Sequence, residues 1–163
     1  MTSQRERHLE FLGSIRRQLF EALEGMDYCL DWKHQPETWS AREVIYHLVD
    51  TPAGGIGAVL RGILAGELGE FEVTPDRADL TPDRQAADLE QVRRELTRVL
   101  DDVESALAGV DDEALAGRWA MAHLTARGRR EERTAQMLLE GLFARHWREH
   151  LQQLQELRES LGV

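Results

Sequence analysis

Disulfides, bilayer spans and a basic face are all missing from this sequence. It has one cysteine, Cys29, so no internal disulfide can form. That fits a reducing compartment. A lone thiol is either a nucleophile or, more often, a small buried hydrophobe, and Cys29 is read as the second. No apolar run approaches the ~20 residues that span a bilayer. The opening stretch MTSQRERHLEFL carries charge but lacks the apolar core of a signal peptide. A cytoplasmic location is therefore expected. Positive charge is scarce: 20 Lys and Arg stand against 30 Asp and Glu, for a net charge of −10. A nucleic-acid binder needs a basic face to meet phosphates. The balance argues against nucleic acid and against an anionic membrane surface. A small-molecule substrate is the partner expected if the chain is an enzyme. One local exception is the group Arg127, Arg129, Arg130 and Arg133. It reads as a solvated loop, with attraction of an anionic small ligand as the lesser alternative.

Strand patterns, internal repeats and low-complexity segments are also absent from the sequence pattern. What is present is helical periodicity over a chain of 163 residues, the usual size of one domain. Apolar residues make up 42% of it, enough for a single core. Leu9, Leu12, Ile15, Leu19, Leu23 and Met26 recur every three or four residues, and Ser3 with Glu6 has capping-box spacing. A second helix starts at Ser40, with Glu43 placed to complete the cap and Trp39 to staple onto Val44. It runs to Pro52, where loss of the bond to the Leu48 carbonyl predicts a kink. Gly54, Ala58, Gly62 and Gly66 then form a small-residue strip suited to close helix packing or to a thin ligand wall. Residues 69–81 read as a loop containing Pro75, Asp76 and Asp79. Thr81-Pro82 suits a helix start and leads into Leu89, Val92, Leu96, Val99, Val103 and Leu107. A long connection from about Gly109 to Arg133 follows, with one short helical turn at DDEALAG. A last helix is expected from Thr134 to Leu161, roughly 40 Å long at ~1.5 Å per residue. Few prolines and few β-branched runs complete the picture of an all-α, antiparallel four-helix bundle forming a single domain over 1–163.

The histidines carry the chemistry. On the last helix the core stripe reads Leu139, Leu142, Phe143, His146, His150, Leu154, Leu157 and Leu161, so two histidines stand where leucine is expected. Residues four apart differ by only ~40° around the axis and ~6 Å along it, so both rings project side by side, at the spacing zinc-binding helices use. His47 lies beside Val44, Leu48 and Thr51 on the inward face of the second helix. Buried imidazoles need partners. Ordinary hydrogen bonds in the core are one way to supply them. A divalent metal is the other, since neutral imidazole suits zinc, nickel, copper and iron. Three protein ligands with an open fourth position define a catalytic site. Asp50, one turn after His47, can orient it by a hydrogen bond, and Glu149, on the flank of the pair, can face the open position; plain surface charge is the alternative for both. His123 is a candidate fourth ligand or substrate contact, or else an unrelated surface residue. His8 and His34 are assigned no role.

Trp39-Ser40, then His47 on the same helix, then His146-x3-His150 late in a long last helix together resemble the DinB-like superfamily over nearly the whole chain. The resemblance implies an up-down-down-up four-helix bundle with zinc or nickel on three histidines, which match His47, His146 and His150 here. It also implies a homodimer. Pro52 and the glycines after it depart from the family's second helix. The superfamily includes metal-dependent hydrolases of the YfiT type and transferases that use mycothiol or bacillithiol. The resemblance therefore implies a thiol-dependent S-transferase in which the metal activates a low-molecular-weight thiol. A metal-dependent hydrolase that activates water, and a non-catalytic bundle acting through a partner, are the alternatives.

Overall fold

The computed structural model describes residues 1–75 and 78–163, so Asp76, part of the expected loop, lies outside the described residues. Helix α1 (Gln4–Leu23) starts as expected, with Ser3 and Glu6 completing a capping box. A second, distant cap joins it: the Asp112 carboxylate accepts from the Gln4 and Arg5 amides at 2.9 and 3.1 Å. Helix α2 (Ala41–Asp50) starts on the Ser40–Glu43 capping box. It ends at Asp50 rather than kinking through Pro52. The chain turns through Gly54 and Gly55, both at φ near +90°, and restarts as α3 (Ile56–Ala65). The small-residue strip is thereby broken: Gly54 belongs to the turn, Ala58 is exposed and Gly66 ends the helix in a left-handed conformation. Close approach remains at Gly62 of the strip, where a Cβ would meet the Leu68 side chain, and also falls on Gly57, where it would collide with Asp102.

The third expected helix is two helices. Thr81 caps α4 (Pro82–Ala86), the backbone extends at Ala87, and Asp88 caps α5 (Leu89–Ala106) by accepting from the Gln91 amide. DEALAG forms α6 (Asp112–Gly117), the expected short helix. The chain is not strictly all-α. Strand β1 (Glu70–Val73) lies within the expected loop, and β2 (Trp119–Leu124) and β3 (Arg129–Thr134) lie within the expected long connection. They form one sheet in the order β1-β2-β3, parallel between β1 and β2 (Phe71 opposite Ala122) and antiparallel between β2 and β3 (Ala122 opposite Glu131). The basic group thus lies on a 3-10 turn and strand β3, not in a loop.

Thr134 caps the last helix, which runs on to Leu161 as expected. Its first turn, α7 (Ala135–Met137), widens into a π-helical stretch (Leu138–His146) and continues as α8 (Trp147–Leu161). Helices α1 and α2 each pack on both α5 and α8, which closes a ring of four around the core, and α3 packs on α5. Leu19, Leu23, Val44, Ile45, Leu60, Leu96, Leu100 and Leu154 are among the core side chains with no accessible surface. No helix among the described residues is long and apolar enough to cross a membrane.

Candidate metal centre

The inward stripe of the last helix runs through Phe143, Trp147, Leu151 and Leu154, all buried. His146 and His150 each precede one of these residues and are half-buried, on the edge of the stripe rather than in its middle. That edge faces α2, where His47 is buried. One ligand atom from each ring lies within 4.8 Å of the other two, and His47 Nε2 and His146 Nε2 are 3.0 Å apart. Nitrogens bound to a tetrahedral ion at ~2.0–2.1 Å sit about 3.3 Å from one another. The His47–His146 pair is already near that spacing, and the three rings could close on a divalent ion by side-chain adjustment.

The far side of two rings is engaged. His150 Nδ1 lies 2.9 Å from the Gln153 side-chain oxygen, which only accepts, so Nδ1 holds the proton and the Nε2 lone pair is left for the site. Thr51 Oγ1 lies 3.3 Å from His47 Nδ1. Trp39 stacks on His150, with ring planes 12° apart, and meets the His47 ring edge-on at 4.8 Å. It thus walls one side of the cluster as well as preceding the α2 cap. Burial, then the two neighbouring histidines, push the His146 pKa down to about 4, which keeps this ring neutral and able to donate a lone pair at pH 7.

Asp50 directs its carboxylate to Arg84, at 2.6 and 3.0 Å. Arg84 in turn lies over the Tyr46 ring, and the Tyr46 hydroxyl donates to Glu95. Burial and the Glu95 carboxylate push the Tyr46 pKa up, so its hydroxyl stays protonated. Asp50 is therefore part of a structural ion pair behind the site, and the hydroxyl beside His47 belongs to Thr51. Glu149 is exposed and lines, with His146, a cleft of about 550 Å³ between the sheet and the last helix. His123 sits on β2 and bonds Glu70 at 2.7 Å, outside the converging group. His8 is buried on α1 and bonds Gln136 at 3.0 Å, and His34 packs edge-on against Trp32. Burial, then Asp27, raises the Cys29 pKa, which disfavours the thiolate a nucleophile needs.

Gln153, Trp39 as a ring partner and Thr51 as a hydrogen-bond partner are site features the sequence reading missed. Gln153 was within reach of it: three residues beyond His150 on one helix is contact spacing.

Three imidazoles converge from two helices of the bundle, and the sequence profile of the DinB superfamily matches residues 8–154. The chain belongs to that superfamily. Among solved structures it is similar to YfiT from Bacillus subtilis, described as a probable metal-dependent hydrolase with an unusual four-helix bundle topology. The two share 21% identity with a TM-score of 0.76, over 97% of this chain and 87% of YfiT. No curated protein matches the chain.

Proposed function

We propose that the protein is a metal-dependent hydrolase acting on a small molecule held in the cleft beside His146. The observation that carries this reading is the convergence of three imidazole nitrogens, each within 4.8 Å of the others, with one ring also lining a cleft. His47, His146 and His150 would hold the ion; neutral imidazole suits several divalent metals, and the family resemblance favours zinc or nickel among them. When bound, such an ion supplies a Lewis acid and a water acidified to a pKa of about 7. The protein's own groups do the rest. Thr51 and Gln153 fix the ring orientations, and Trp39 keeps bulk water from one side of the cluster. Glu149, a carboxylate lining the cleft, would take the proton from the attacking water and return it to the leaving group. Asp50 acts at one remove, holding Arg84 against α2.

A thiol-dependent S-transferase would use the same three rings, with a small thiol in place of water as the nucleophile. Metal analysis of untagged protein comes first, followed by turnover of an ester and amide panel with added zinc or nickel, before and after chelation, and with or without a low-molecular-weight thiol. The hydrolase reading expects metal uptake and chelator-sensitive turnover without thiol. Turnover only with thiol selects the transferase. Protein that takes up neither metal refutes both.

A further inference from the structure

The cleft that His146 lines holds a second feature that hydrolysis alone does not require. Arg133, from β3, and Arg145, from the last helix, bring their guanidinium groups over the same spot. Arg133 Nη1 and Arg145 Nη2 each lie 3.7 Å from the position a Cβ would take at Gly141. Both line the cleft, as does Arg127 from the turn before β3, against one carboxylate among the described residues, Glu149. Arg133 is partly balanced by Glu131, at 2.6 Å. Arg127 and Arg145 have no ion-pair partner among the described residues. Like charges brought together repel unless something negative sits between them. Here they meet on a chain with a net charge of −10, over a helix position with no side chain to fill the space. The rest of the wall is apolar, with Phe71 and Leu124 from the sheet and Leu138 and Leu142 from the helix.

We propose that this cleft selects a small organic anion: Arg145 and Arg133 bind its carboxylate or other oxyanion over Gly141, and the apolar wall takes its body. The inference rests on reading His146 as the reacting end of the same cleft, because that sets which bond of the substrate is presented. Guanidinium suits the task, since its planar fork pairs two donors with two oxygens. The substrate class is then an ester, amide or related electrophile that carries a second, unreacting acidic group.

The test uses metal-free protein at about pH 8, so that no ion competes for the probe. Three probes are titrated by calorimetry: 2-naphthoate, the neutral 2-naphthamide, and inorganic phosphate. Naphthoate should bind roughly tenfold more tightly than naphthamide and more tightly than phosphate. Arg145→Gln should remove that preference, whereas Arg17→Gln, an exposed arginine on α1, should leave it within about twofold. Equal affinity for naphthoate and naphthamide, or an unchanged preference in Arg145→Gln, overturns the proposal. Phosphate binding as tightly as naphthoate overturns the apolar half of it. Zinc uptake, measured separately on each variant, keeps the two readings apart. Metal bound without anion preference sinks this inference alone, and anion preference without metal uptake sinks the hydrolase.

Discussion

Replacing His146 by leucine tests the metal centre without removing the core residue that the helical pattern expects at that position. The ring is half-buried, and its Nε2 is 3.0 Å from that of His47. Leucine places an apolar side chain of similar bulk on the edge of the Phe143–Trp147 stripe, and the loss of one hydrogen bond to His47 costs about 1 kcal/mol. Metal-free wild type and variant should therefore melt within ~4 °C of one another, since each kcal/mol moves Tm by ~2–4 °C in a chain of this size. Metal separates them. At a free zinc concentration about 100 times Kd, a site that exists only in the folded state adds ~2.7 kcal/mol, or a rise of about 5–11 °C for the wild type. The variant should show no rise, because two rings are left where three are needed. Thermal melts across a zinc titration, with metal content checked on the same samples, provide the readout. A variant that keeps the full zinc-induced rise would show that the ion binds elsewhere, and the site would fall with it.

Thr51→Val removes the hydroxyl beside His47 Nδ1 and should weaken zinc affinity by roughly tenfold; a Kd unchanged in competition with a chromophoric chelator would deny Thr51 that role. Arg42 is 5% exposed and donates to Asp31 and to the carbonyls of Arg84 and Ala87. Arg42→Ala should cost about 2–4 kcal/mol in urea unfolding, and a loss under ~0.5 kcal/mol would show that these bonds contribute nothing net. The Gln4 and Arg5 amides hold the Asp112 carboxyl below its usual pKa. Because its folded value lies under its unfolded one, its stabilisation is present above the ordinary carboxylate range and lost as pH falls through the folded value. Asp112→Asn should thus lower Tm at pH 7, and the deficit should shrink as pH falls below the ordinary carboxylate range toward the folded value; a deficit that stays constant on acidification would refute the assignment.

The helices α1, α2 and the last one were legible because each carries its own local punctuation: the capping boxes at Ser3 and Ser40, and Thr134 accepting from the Met137 amide. The sheet was not. RREERT in β3 is polar on both faces, EFEV in β1 buries only Phe71, and β2 buries Ala120 and Ala122, small helix-forming residues with no β-branched signal. Long-range pairing, not local preference, makes these segments strands. The convergence of His47, His146 and His150 could be worked out from helical phase. Trp147 and Leu151 as the centre of the stripe could not, because the reading assumed one uniform period through a helix that changes its winding at Leu138. Arg145 was passed over for the same reason. It looks like a surface residue in sequence, and only the sheet opposite it makes a cleft.

That change of winding has a further effect on what the cleft can hold. The last helix contributes Met137, Leu138, Gly141, Leu142, Arg145, His146 and Glu149 to the wall, two neighbours at every fourth position. An unbroken α-helix advances ~40° with each step of four, so Met137 and Glu149 would be about 120° apart and could not share a wall. The wider i→i+5 turns between Leu138 and His146 change that phase, and all seven residues line the one cleft. If the cleft binds an acid group over Gly141 as proposed, the spacing of Gly141, Arg145 and His146 along this helix would favour one chain length between that group and the reacting bond.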